Sequence, residues 1–388
     1  MNGTAKLMID LIRQALDKSF AFAANSISDA ELEELYRLSK AHDVAHLVAC
    51  SLERNGALPD SDTGKKLHKQ MMLAAYRYEG QAYELARVCD LLEREKIDHI
   101  VLKGSVTRKL YPEPWMRTMS DIDILVKAEM AEGAKRALVH ELGYKLLEEG
   151  SHDVSLMSEG GVHVELHHSL TDEETGAAIG DKASEMLLGV WDNAQRAGET
   201  TVRYSLSCEF FYFYHVAHAA KHIKNGGCGI KPFIDLYLLD ANGQEHADDR
   251  RRLLERAGLY TFGESMSRLS QVWFGGAKPD SISLELEQYV LCGGVYGTTE
   301  NKISISQGKK GKLGYALSRV FLPYDILKYR YPVLQKHKWL TPVFEVVRWF
   351  GLLFCGGVKR SAAELKLNAS ITEEQAQRAK RLMNDIGL

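Results

Sequence analysis

Cysteine is scarce in this 388-residue chain. Its 6 cysteines never fall in C-x-x-C spacing, which excludes a zinc ribbon and a thioredoxin-type redox motif. They read as reduced thiols, which suits a cytoplasmic protein. An excess of charge is missing too. The 49 Lys and Arg nearly balance 52 Asp and Glu, for a formal net charge of −3. Coating nucleic acid over a broad surface is therefore not expected, while a local basic groove remains allowed. Long uncharged apolar runs are absent. The most apolar stretch, 339–358, is interrupted by Glu345 and Arg348, whereas a membrane span needs about 20 nearly uncharged residues. It reads as a buried helix, with a helix lying on a membrane surface as the alternative; no stable membrane insertion is expected. The opening MNGTAKLMIDLIRQAL lacks an apolar core with a small-residue cleavage site, so no signal peptide is expected. With 45% hydrophobic and 26% charged residues, the composition is that of a folded globular protein.

The chain divides into three regions. Residues 1–95 read as helical, with Met8, Leu11, Ile12 and Leu16 at helical spacing and a capping-box pattern at Ser28. No proline breaks a long helix expected over 65–96. From 96 to 205 the pattern turns mixed. Strands are expected over 98–103, 121–126, 144–148, 153–157 and 162–167, with helices over 105–111 and 129–142. Gly143 marks the end of the second helix, and Glu159-Gly-Gly joins the last two strands. From 206 to 388 the chain reads as helical again, over 208–223, 233–239, 248–257, 260–274 and 282–291. The Gly- and Lys-rich 301–312 reads as a mobile loop, and Tyr331-Pro332 as a break. The expected fold is α+β: a small mixed sheet wrapped by N-terminal and C-terminal helices.

The informative chemistry lies between Lys103 and Val126. On a strand, Asp121 and Asp123 project from one face while Ile122 and Ile124 anchor the other. Two carboxylates so close repel each other, and rest either beside a cation or on a solvated edge. Oxygen ligands at this spacing suit Mg²⁺. Upstream, Gly104-Ser105 follows a strand and opens a helix, where backbone N–H groups can approach a phosphate. Strict alternation in Val162-His-Val-Glu-Leu-His puts His163, Glu165 and His167 on one face. Glu165 is then a third acid, either joining the pair or lying on an exposed strand face. Lys103 and Arg117 are the nearest cations; the alternatives are a Lys103 pointing away and an Arg117 on a surface loop. His215, His218 and His222 share one helical face. That face either lines the pocket or is polar core. Lys221 is a further phosphate contact, and Asp235 a group that orients its neighbours. Lys309, Lys310 and Lys312 are either solvated or part of a lid.

Leu102-Lys-Gly, Tyr111-Pro, Arg117, Ser120-Asp-Ile-Asp-Ile-Leu-Val and His163-Val-Glu-Leu-His-His together resemble the bacterial uncharacterised nucleotidyltransferase family of the polymerase-beta-type superfamily. His218-Ala-Ala-Lys-His, Lys231-Pro-Phe-Ile-Asp, Phe321-Leu-Pro-Tyr and Tyr331-Pro-Val-Leu extend the resemblance over most of 97–350. The third acid is Glu where Asp is commoner, and the gap from Gly-Ser to the first Asp is long. The resemblance implies Mg²⁺- or Mn²⁺-dependent transfer of a nucleoside monophosphate from an NTP such as ATP, with release of pyrophosphate. The acceptor would be a small molecule, sugar or peptide, with nucleic acid not excluded. The implied roles are phosphate binding for Gly104 and Ser105, and metal binding for Asp121, Asp123 and Glu165, the last also helping to deprotonate the acceptor. Lys103 and Arg117 would offset the triphosphate charge, and His218 and Lys221 would line the nucleotide pocket. Rival readings are a toxin-like or tRNA-modifying transferase, and a nucleotide-sensing protein without turnover.

Overall fold

The computed structural model describes residues 3–20, 27–197, 202–295, 297–322, 324, 327, 328, 331, 333–354 and 357–388. Four helices open the chain: α1 (Gly3–Leu16), α2 (Asp29–Ala41), α3 (Ala45–Arg54) and α4 (Asp62–Arg94). The Ser28 capping box forms, with Ser28 and Glu31 satisfying each other's backbone N–H groups. The sheet region, the palm, follows as β1 (His99–Val101), α5 (Gly104–Thr107), β2 (Asp121–Val126), α6 (Ala131–Glu141), β3 (Lys145–Glu149), β4 (Asp153–Met157), β5 (His163–His167), α7 (Glu173–Ile179), α8 (Asp181–Leu188), β6 (Ala194–Arg196) and β7 (Arg203–Leu206). Then come α9 (Cys208–Lys224), α10 (Lys231–Ala241), α11 (Ala247–Ala257), α12 (Tyr260–Ser270), α13 (Ser281–Gly293) and α14 (Thr299–Val320). The last helices are α15 (Val333–Lys336), α16 (Thr341–Phe354), α17 (Gly357–Ser370) and α18 (Glu373–Asp385).

The seven strands form one mixed sheet in the order β3-β4-β5-β2-β1-β7-β6. β2 runs parallel to β5, with Asp121 opposite His163 and Asp123 opposite Glu165. It runs antiparallel to β1, with Val101 opposite Ile124. Alternation therefore sorts both central strands. Ile122, Ile124, Val164 and Leu166 enter a core with Val88, Leu91 and Leu92 of α4 and Ala134 and Leu138 of α6, and the acids take the other face. A second, larger core joins Met8, Leu11 and Leu47 of the N-terminal helices to Phe213, Phe233 and Phe262 of the C-terminal ones. The two helical regions are thus packed into one body across the palm.

The structure departs from the sequence reading in several elements, and α7 and α8 were not expected. β6 and β7 were not expected. The 301–312 segment is helix, not a mobile loop: Ile303 and Ile305 are buried within α14. A Cβ at Gly308 would lie 2.9 Å from the Ala376 carbonyl oxygen of α18, so this glycine lets two helices approach closely. Within α14 the helix kinks at Gly311, with φ 71°. Finally, the apolar stretch around α16 is not a buried helix. It turns Glu345 and Arg348 inward and leaves Val343, Val346, Val347 and Phe350 exposed, because the two charges hydrogen-bond backbone groups of the protein. Pro332, read as a break, lies outside the described residues, as does Cys355.

Candidate active site

Asp121, Asp123 and Glu165 converge because their strands are neighbours in parallel register. His167, two residues beyond Glu165, closes the group. Its Nε2 lies 2.8 Å from Asp123 Oδ1 and 3.5 Å from Glu165 Oε2. Two sets of side chains each bring their ligand atoms within 4.8 Å of one another: Asp121, His163 and Glu165, and Asp123, Glu165 and His167. A third set joins His152 and Asp153 to His167. His163 and His167 are site residues that the sequence reading left without a role, although alternation already placed both on the acidic face.

Lys103 decides the electrostatics. It sits between β1 and α5 in the left-handed region, with φ 46°, a conformation uncommon for any residue but glycine. That turn directs its ammonium to Asp123, with Nζ 2.5 Å from Oδ1. Burial alone would raise the Asp123 pKa, but Lys103 and the His167 hydrogen bond hold its carboxyl well below the usual range. The His167 hydrogen bond likewise lowers Glu165. Asp121 moves the other way, raised by burial and by repulsion from Asp123 and Glu165. Lys103 and a hydrogen bond from Ser120 offset only part of this rise, and a further cation would offset more of it. His167 is raised, its hydrogen bonds to the two acids outweighing the cost of burial.

Gly104 and Ser105 begin α5 directly beside this cluster. Val106 and Thr107 donate to the Lys103 carbonyl, which leaves the amides of Gly104 and Ser105 at the open end of the turn. A Cβ at Gly104 would lie 3.0 Å from Met119 Sδ, so glycine allows the turn to press against the loop leading into β2. Ser105 is buried, and its hydroxyl has only a weak partner in the same sulfur, 3.8 Å away.

Arg117 is placed differently from the sequence expectation. Its guanidinium forms a bidentate pair with buried Asp235, at 2.8 Å from Nε to Oδ1 and 2.7 Å from Nη2 to Oδ2. Tyr111 donates to the same carboxylate at 2.8 Å. The geometry makes Arg117 a clamp on the loop before β2, with its charge met by Asp235. Other groups hold the same loop. Lys231 binds Asp43 at 2.6 Å, and Thr118 donates to Asp43 at 2.8 Å. His46 bonds the Met116 carbonyl and Gln81 the Met119 carbonyl. Asp43, His46 and Gln81 carried no sequence signal, since they lie far from this loop along the chain, in the α2–α3 turn, α3 and α4.

The α9 histidines separate in role. His215 bonds the Pro232 carbonyl at 2.9 Å. His218 and His222 pair through their Nε2 atoms at 3.2 Å. Burial and then nearby Lys103 keep His218 neutral. Tyr214 feels Lys103 and all three acids, so α9 forms the wall facing the sheet. Lys221 acts on His152 and Asp172. Among the described residues no metal-capable group includes His215, His218 or His222.

Three carboxylates, one of them repelled by its neighbours, are hard oxygen donors fit to hold a divalent metal. A surface concavity of about 550 Å³ lined by Lys96, Met130, Arg136 and His140 shares none of these groups. A family model described as an uncharacterised nucleotidyltransferase matches residues 28–275. The match runs from the start of α2 to just past α12 and so contains the whole acid cluster and its braces; it ends short of 350. No curated protein matches the chain.

Proposed function

Taking as premise that this chain belongs to the uncharacterised nucleotidyltransferase family, we propose that it moves a nucleoside monophosphate from an NTP onto a hydroxyl or phosphate oxygen of a small molecule, sugar or peptide. The family makes the protein a transferase of phosphorus-containing groups acting on a nucleoside triphosphate. The observation that carries the finer reading is the register of β2 on β5, which gathers Asp121, Asp123 and Glu165 beside the Gly104 turn.

Asp121, Asp123 and Glu165 would hold Mg²⁺ or Mn²⁺. Such ions, when bound, neutralise phosphate charge and lower the pKa of an attacking oxygen. The rest is positioning. The amides of Gly104 and Ser105 receive the β- and γ-phosphates. Lys103 turns its ammonium toward the same space and releases Asp123 to other ligands. The acceptor oxygen forms its bond to the α-phosphorus as the bond to pyrophosphate breaks, and the acceptor proton passes to Glu165. Positioning and charge neutralisation supply most of the catalysis in such displacements. His218 and Tyr214 border the pocket from α9, with Lys221 at its His152 end. Arg117 acts through the loop it clamps.

The test is pyrophosphate release from each of the four NTPs with Mg²⁺ or Mn²⁺, with a cell lysate supplying acceptors. Release is expected from the native chain and not from Asp121→Asn or Asp123→Asn. A label on the α-phosphate then marks the acceptor. NTP binding with no release from any of the four would sink transfer and leave a sensing role.

A further inference from the structure

The C-terminal helices beyond the family match are built inside out. In α16 the two charges face the protein: Glu345 and Arg348 are 6% and 5% exposed. They pair at 2.8 Å. Glu345 accepts from the Leu322 amide at 2.5 Å, and Arg348 donates to the Val320 carbonyl. Trp349 donates to the same carbonyl at 2.8 Å. The opposite stripe is Val343, Val346, Val347 and Phe350, at i, i+3, i+4 and i+7, each between 44% and 57% exposed. The end of α14 repeats the pattern with exposed Leu313, Leu317 and Phe321. The two stripes adjoin where the Phe321 and Trp349 rings meet, 5.3 Å apart. Trp339, three-quarters exposed, stands at the turn into α16.

The stretch of sequence that carries this apolar face is charged with one sign. Residues 309–360 hold eleven Lys and Arg against two acids, Asp325 and Glu345, in a chain whose net charge is −3. Glu345 and Arg348 are turned inward and pair with each other, and Arg319 pairs with Glu364, which leaves nine Lys and Arg against Asp325. Lys309, Lys310 and Lys312 are exposed at the Gly311 kink, and Lys336 and Lys338 beside Trp339.

We infer that α14 and α16 form a docking face for an anionic lipid surface, on which the protein lies without crossing. No described helix is long and apolar enough to span a membrane. Apolar stripes with Trp and Phe, rimmed by Lys and Arg, match the boundary between acyl chains and charged headgroups. A nucleic acid would satisfy the cations and leave the valines and leucines in water. A second copy of the chain would bring two strongly basic faces together. The inference stands apart from the acid cluster, and its readout does not depend on turnover.

The test is flotation of the full chain with phosphatidylcholine vesicles, with and without about 30% phosphatidylglycerol, at low and high salt. Binding is expected only to the anionic vesicles and is weakened by salt, since each Lys or Arg at such a surface strengthens binding about fivefold. Val346→Glu/Phe350→Glu should weaken it at least about tenfold with an unchanged melting temperature. Should that variant fold poorly, Lys309→Glu/Lys310→Glu/Lys312→Glu tests the same face through charge alone. The inference is overturned if the intact chain does not float with anionic vesicles, or if these variants float as well as the native chain. It also falls if the face instead proves, by sedimentation velocity, to hold two copies together, or to bind RNA in preference to the vesicles.

Discussion

β5 in the palm and α16 in the C-terminal region divide their side chains alike, yet meet opposite surroundings. Each has a polar face and an apolar one, and each turns the polar face toward other groups of the protein. In β5, Glu165 and His167 meet Asp123; in α16, Glu345 and Arg348 meet the 320–322 backbone. The difference is what lies behind. Val164 is sealed beneath α4 and α6 at 0% exposure, while Val347 is 47% exposed. Amphipathicity fixes which residues share a face; the neighbours alone decide which face is covered.

The sharpest way to probe this contrast is one substitution made twice. Val164→Lys places an unpaired charge in the core and should cost more than about 4 kcal/mol, unfolding the palm. Val347→Lys should change stability by no more than about 0.5 kcal/mol. Denaturant melts of the two variants check the pair, and equal losses would break the comparison. Next in size, Asp123→Asn should lower NTP turnover about 1000-fold, the upper end of what one preorganised electrostatic contact supplies; steady-state pyrophosphate release measures it. Arg117→Met strands the buried Asp235 carboxylate and should destabilise by about 3 kcal/mol, read as a fall in the urea midpoint.

A smaller effect concerns pH. Burial pushes the His46 imidazole down to about 4 despite its bond to the Met116 carbonyl. An unfolded histidine titrates near 6.5, so between these values the unfolded chain binds the proton and the folded one does not. The stability is therefore full above about 6.5 and falls as pH drops toward 4, by about 3 kcal/mol from this residue. His46→Gln should flatten that slope, seen by comparing unfolding midpoints at neutral and acid pH.

The palm was legible where the signal is local. A period of two residues separates Asp121 and Asp123 from Ile122 and Ile124, and the same rule groups Glu165 with His167, so both strands and their acidic face follow from sequence alone. β6 and β7 did not follow, because Ala194–Arg196 and Arg203–Leu206 are too short to show alternation. Residues 301–312 looked like a loop because Gly and Lys dominate them, whereas Gly308 is there to let α18 approach. The α16 stretch looked like core because hydrophobicity is silent about direction. Arg117 looked like a phosphate ligand because Asp235 lies 118 residues away, and no local pattern announces so distant a counter-ion.

The clamp on the loop before β2 also sets a timetable. Asp43 and His46 leave the ribosome ahead of that loop, but Lys231 and Asp235 come long after it. At about 5–20 residues per second, Arg117 waits several seconds or more for its counter-ion. A nascent chain halted before α10 would own all three acids and still lack the brace that sets them.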